Sequence, residues 1–217
     1  METKVVRLIV NGGFEATTSQ KHAREIMGQN FFGVEEAMKH FGVKPTPAQL
    51  SILSEIPFAE ATLEACRDTH VLAAVFQLSI LEICGKIATQ ARRLFYDQDW
   101  YYRQAFAKEK GETEWKLVRK TPVVNSTSKT WSEQQALLQG NEETPTARAM
   151  VYTIIGHFLS TAERLFEKIY VRCSGVDSDG YRVYVGYFCS GGLRVYGYFW
   201  GDSRDDAFGV SAARKPD

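Results

Sequence analysis

From Ile169 to Arg214 the chain contains no Lys, Glu, Gln, Met, Asn, His, Pro or Thr. All seventeen glutamates lie at or before Glu167, and eleven of the twelve lysines at or before Lys168. Uniform usage would place about four glutamates in the last fifty residues. Charge as such does not vanish, because Arg and Asp stay frequent beside Tyr, Gly and Ser. A β-meander disfavours Glu and Lys and favours Tyr, which explains part of the break. It does not explain frequent Asp and Gly beside missing Thr. Within the segment, Ile169 to Val171, Tyr181 to Phe188, Leu193 to Trp200 and Phe208 to Ala212 read as short strands separated by Ser-Gly, Asp-Gly and Gly-Gly turns. The chain is therefore expected to end in an antiparallel meander.

Upstream, the pattern is helical with scattered strands. Val5 to Val10 reads as a short strand closed by Asn11-Gly12-Gly13. Thr18 or Ser19 caps a helix to Met27, Val34 to Phe41 forms an amphipathic helix stopped by Gly42, Pro47 opens one to about Leu53, and Ala59 to Cys66 forms another. Thr69 to Ile83, rich in Val, Leu, Ile and Phe, is read as one strand or two. Asp97 to Tyr102 is an aromatic, partly exposed turn, and Trp115 to Arg119 alternates like a strand. Thr130 with Glu133 forms a capping box for a helix from Trp131 to Leu138, and Pro145 opens the longest helix, Thr146 to Lys168. Helices and strands first, then a meander, define an α+β chain. Two regions are expected: 1–90, of mixed helix and strand (α/β), and 91–217, carrying the terminal sheet. Trp131, Leu165, Phe166, Val185, Val195 and Val210 are assigned to the core.

The 217 residues carry 26 Lys and Arg against 26 Asp and Glu, so no net charge pulls the protein toward nucleic acid or an anionic membrane. The N-terminal apolar stretch is interrupted by Arg7 and Asn11, unlike a signal peptide, and the most apolar run, Val71 to Ile83, holds Gln77 and Glu82. Cys66, Cys84, Cys173 and Cys189 are widely spaced and read as reduced thiols of a cytoplasmic protein.

Several motifs resemble a known family. Pro145-Thr146-Ala147-Arg148-Ala149-Met150-Val151-Tyr152 resembles the second helix of the C-type-lectin-like fold, in the branch shared with formylglycine-generating enzymes. Thr121-Pro122-Val123 with the Trp131 helix resembles the first helix and its lead-in. The runs from Arg182 to Phe188, Gly192 to Val195 and Gly209 to Arg214 are similar to its last strands, in particular those of the variable proteins of diversity-generating retroelements. The resemblance covers about Trp115 to Lys215 and implies a C-type-lectin-like C-terminal half. It also implies a variable segment near 181–208, diversified by substitution at template adenines. Lys, Glu, Gln, Met and Trp are not reachable from the AAC-type codons that are diversified, so Trp200 would be a fixed framework residue. Asn, which the template set includes, is absent from this segment.

The residue set is that of a paratope: Tyr gives contact area at low entropy cost, Ser and Gly adapt, Arg and Asp give directional contacts. Arg194, Tyr196, Tyr198 and Trp200 share one strand parity. The expected ligand-contact site is Tyr187, Arg194, Tyr196, Tyr198, Asp202, Arg204 and Asp205, facing water, with a protein or other macromolecule as partner and no cofactor or metal. Substitutions there are expected to change stability by no more than about 0.5 kcal/mol each. An enzyme or structural protein on the same fold is the alternative. His22, His40, His70 and His157 lack metal spacing, however, and Cys173 and Cys189 lack the context of a catalytic pair. Asp177-Ser178-Asp179-Gly180 begins like a calcium loop without its later carboxylates and reads as a turn.

Overall fold

The computed structural model describes residues 15–87, 94–199 (the backbone alone for Tyr198 and Phe199) and 202–217. The expected strand Val5 to Val10, its Gly12-Gly13 turn and Trp200 lie outside the described residues. In chain order, α1 (Thr18–Met27), β1 (Phe31–Phe32), α2 (Val34–Phe41), α3 (Pro47–Ile52), α4 (Glu60–Cys66), β2 (His70–Val75), α5 (Ile80–Ile87), α6 (Ala105–Lys108) and β3 (Glu114–Arg119) come first. They are followed by α7 (Trp131–Gln135), β4 (Glu142–Glu143), α8 (Ala147–Thr161), β5 (Tyr170–Val176), β6 (Arg182–Cys189), β7 (Gly192–Phe199), β8 (Phe208–Val210) and β9 (Ala213–Arg214).

The local signals work through hydrogen bonds at helix starts. The hydroxyls of Thr17, Thr46 and Thr130 each accept from the backbone N–H three residues on, and each Thr donates its own N–H back to the Gln or Glu side chain there, so the cap of α1 is Thr17 and not the expected Thr18 or Ser19. Gly42 closes α2 in the left-handed conformation at φ 59°.

Two sheets sandwich α8. One has the strand order β1-β2-β3-β9-β4, the other β7-β6-β5-β8. Helix α8 packs against β1, β2 and β3 on one side and β5 and β6 on the other, and every residue from Ala147 to Phe158 is buried. A helix with apolar residues on every side belongs in such an interior position, and its buried Arg148 is met by the Phe76 and Glu112 carbonyls. Its buried Tyr152 hydroxyl donates to the Ala74 carbonyl at 2.9 Å, so the phenol carries its polar atom into the core with a partner. The first sheet takes β1 and β2 from the N-terminal region and β3, β4 and β9 from the C-terminal one. One apolar core runs from Ala23 to Ala213. The protein is thus a mixed α+β chain with two sheets of mainly antiparallel pairing.

Four expectations need correction. The Thr69 to Ile83 run is a strand followed by a helix: Ser79 accepts from Glu82 N–H, and Glu82 accepts from Ser79 N–H, which opens α5 inside what periodicity alone left as strand. Helix α8 stops at Thr161, where Ala162 turns left-handed at φ 63° and its N–H bonds the Phe158 carbonyl. Leu165 and Phe166 are still buried, but from the turn beyond. Helix α7 ends at Gln135, the following residues tightening into bonds from Leu137 to Gln134 and from Leu138 to Gln135. The terminal meander is only partly antiparallel, because β8 returns to pair β5 in parallel and β9 leaves for the other sheet. Val185, Val195 and Val210 are buried as expected. Trp131 is half-buried against a small cluster of Val123, Val210 and Ala212, with the Arg182 guanidinium 4.2 Å from its ring centroid. Among the described residues, no helix is long and apolar enough to cross a membrane.

Candidate functional site: an aromatic dish on the outer sheet face

Strand alternation divides the second sheet into two unlike faces. Val171, Val185 and Val195 are cross-strand partners, fully enclosed in the core. The next register rows face the other way: Tyr196 pairs Tyr184, which pairs Arg172, and Tyr170 lies between Gly186 and Phe208. Period-two geometry turns these side chains away from α8.

They form one continuous aromatic surface. Tyr170 stacks on Phe208 at 5.4 Å and on Tyr187 at 5.2 Å between centroids, and meets Tyr184 edge-on at 5.1 Å. Tyr196 lies 5.9 Å from Tyr184 and 6.4 Å from Trp100. Trp100, Tyr170, Tyr184, Tyr196 and Phe208 line an open hollow of about 710 Å³ together with Arg194, Gly197 and Ala207, and Tyr187 stands beside it against Tyr170.

Tyr184 and Tyr187 reach the same face despite their odd spacing. Gly186 at φ 147° and Tyr187 at φ 50° interrupt the register between Gly186 and Cys189, and this bulge re-aims Tyr187. Phe188 then points inward and packs on Phe158 of α8 at 5.0 Å.

The free edge of β7 is covered by the segment 94–100. Leu193 N–H bonds the Leu94 carbonyl, Tyr96 N–H bonds the Leu193 carbonyl, and the Gln98 amide and Trp100 indole both donate to the Val195 carbonyl. This satisfies an edge that would otherwise recruit another strand. It also delivers Tyr96 and Trp100 to the dish.

Arg194 lies over two rings, its guanidinium carbon 4.4 Å from the Tyr96 centroid and 5.2 Å from that of Tyr187. Its Nη1 donates to the Tyr170 hydroxyl at 3.4 Å, and Nε is enclosed without a hydrogen-bond partner among the described residues. The Tyr170 hydroxyl beside it, more than any other group, raises the guanidinium above its ordinary value.

The structure brings Tyr187, Arg194 and Tyr196 together. The side chain of Tyr198 lies outside the described residues. Asp202 is exposed. Arg204 reaches away to Glu133 on α7 at 2.8 Å. Its guanidinium, ahead of the Thr130 hydrogen bonds, holds the Glu133 carboxyl down at about 2. Asp205 accepts from Ala207 N–H through its side chain, while its carbonyl accepts from Ser128 N–H. Sequence reasoning missed Tyr96, Trp100, Tyr170, Tyr184 and Phe208. Parity offered a signal for Tyr184 with Tyr196. Nothing local shows that the 94–100 segment lies along β7.

Beneath the dish, Arg172 is 1 % exposed and bonds the Lys129 carbonyl, Gln134 Oε1 and the Ser203 carbonyl. It thereby ties the loop 202–207 to the start of α7. Burial lowers its guanidinium below the ordinary value.

Elsewhere, His157 is buried and bonded to Glu163, and Cys173 is buried with its thiol pushed up to about 12. The Asp177 carboxylate accepts from Asp179 and Tyr181 N–H, so this segment is a turn. No group of three metal-binding side chains occurs among the described residues. Compared with family models, with curated proteins and with solved structures, the chain has no match.

Proposed function

We propose that this protein is a receptor-type binding module whose macromolecular ligand seats on the aromatic dish. The observation that carries the reading is the division of one set of strands into an aliphatic inner face and a Tyr-rich outer face with a cation at its edge. Such a surface offers large, stiff contact area while leaving the core untouched by changes on the outer face.

The finer reading is a variable protein of a diversity-generating retroelement, with a C-type-lectin-like C-terminal half and a variable segment near 181–208. The missing Lys, Glu, Gln and Met of the segment and the placement of Tyr187, Arg194 and Tyr196 on one surface support it. The partner is a protein or other macromolecule rather than nucleic acid or membrane, and binding needs no cofactor. Four free thiols fit a reducing, cytoplasmic setting.

The test is the encoding DNA. A near-copy of the final coding stretch, differing at adenines and lying beside a reverse transcriptase gene, is the expected result. A locus with neither removes the retroelement assignment.

A further inference from the structure

This inference rests on the dish being the binding face. The dish has, among the described residues, one charged side chain in its lining, Arg194. Among the described residues no carboxylate lies within ion-pair distance of it. Its guanidinium makes one hydrogen bond among the described residues, the long one from Nη1 to the Tyr170 hydroxyl. The other nearby cations are committed: Arg204 to Glu133, and Arg172 to three oxygen acceptors below the surface. The Arg194 guanidinium carbon lies over the Tyr96 ring at 4.4 Å and over the Tyr187 ring at 5.2 Å from the centroids. Two aromatic contacts restrain the guanidinium, and its N–H groups not taken up by Tyr170 are donors of the kind that meet a carboxylate with two parallel bonds.

We infer that Arg194 is the anion subsite of the dish, and that the partner is a peptide segment presenting one Asp or Glu carboxylate there, next to an aromatic or prolyl side chain that packs on Tyr170, Tyr196 and Trp100. The surroundings select for a single carboxylate. The loop leading to Ala207 carries Asp202, Asp205 and Asp206, the first and last exposed. Against one cation, these carboxylates repel a polyanion such as a nucleic acid and a strongly acidic tract alike. A lone carboxylate set in neutral or basic sequence gains the fork without that repulsion.

The probe is a displayed library of random dodecapeptides selected on the full chain, with representative synthetic peptides then titrated against variants. The expected enrichment is Asp or Glu beside Trp, Tyr, Phe or Pro. Affinity should fall about tenfold or more in Arg194→Met, by the loss of charge-assisted hydrogen bonds. It should fall less in Arg194→Lys, which keeps the charge without the fork and serves as the readout should Arg194→Met fail to fold. Affinity should also weaken with added salt. Enriched peptides that lack a carboxylate, or bind the Arg194 variants as tightly as the parent, while losing affinity for Tyr196→Ala, overturn the subsite and leave the binding face standing. No enrichment, or peptides indifferent to both Tyr170→Ala and Tyr196→Ala, overturns the face as well.

Discussion

Arg172 Nη2 donates to the Ser203 carbonyl at 2.7 Å, joining a buried strand residue to the loop on the rim of the dish. Through Nη1 the same guanidinium holds the Lys129 carbonyl and the Gln134 amide oxygen. One enclosed cation thus sets the relative position of three segments far apart in sequence.

Arg172→Met keeps the apolar stem and strands these acceptors. The expected loss is about 3 kcal/mol, the range for buried acceptors left unsatisfied. Urea denaturation measures it, and limited proteolysis should show earlier cutting within 202–207. An unchanged midpoint would show that the loop holds its place without Arg172.

Tyr196 is half-buried among Trp100, Tyr170 and Tyr184 rather than standing free in water. Aromatic pairs contribute about 0.5–1.5 kcal/mol beyond area burial. Tyr196→Ser is therefore expected to destabilise by about 1–2 kcal/mol, above the value its sequence context alone suggests, and Tyr196→Phe by much less. Thermal denaturation of the two variants separates ring packing from the hydroxyl.

Gly186 sits at φ 147°, and a Cβ there would press on the Ile169 carbonyl oxygen and lie 2.9 Å from Tyr170 Cα. Both obstacles are backbone, so neither can swing aside. Gly186→Ala should cost about 2–4 kcal/mol and displace Tyr187 from the dish. Retention of both stability and the Tyr187 environment, followed by NMR, would contradict the close approach.

His70 is buried at the start of β2, its Nδ1 2.8 Å from the Thr69 hydroxyl and its Nε2 without a partner among the described residues. Burial first, then Arg119 and Arg214, depress its pKa from 6.5 to about 4. The unfolded chain therefore takes the proton before the folded one. Stability from this group is complete above about pH 6.5 and falls as pH drops toward 4, by roughly 3 kcal/mol over the window. His70→Phe should flatten that part of the stability profile, read from denaturation midpoints at stepped pH. A profile as steep as the parent's would assign the acid sensitivity to other groups.

Where the physics is local, much of the fold was legible in the sequence. Thr130 caps its helix as read, because a hydroxyl three residues before a backbone N–H needs no tertiary partner, whereas the first helix is capped by Thr17 and not by Thr18 or Ser19. The β-runs after Ile169 were legible because alternation and Gly-rich turns act within a few residues, and parity placed Arg194 and Tyr196 on one face. The apolar run after Val75 is a case of a local signal passed over, since Ser79 and Glu82 close a capping box that hydrophobic period does not register, and α8 ends where Ala162 turns left-handed, a choice that period also leaves open. Tertiary structure decided what depends on distant chain. Tyr187 joins Tyr184 only because the Gly186 bulge shifts parity by one residue. Trp100 enters the dish only because the edge of β7 needs partners for its backbone groups and the 94–100 segment supplies them. Arg204, grouped by composition with the dish, is drawn off to Glu133, since an ion pair answers to proximity in the fold and not to neighbourhood in the chain.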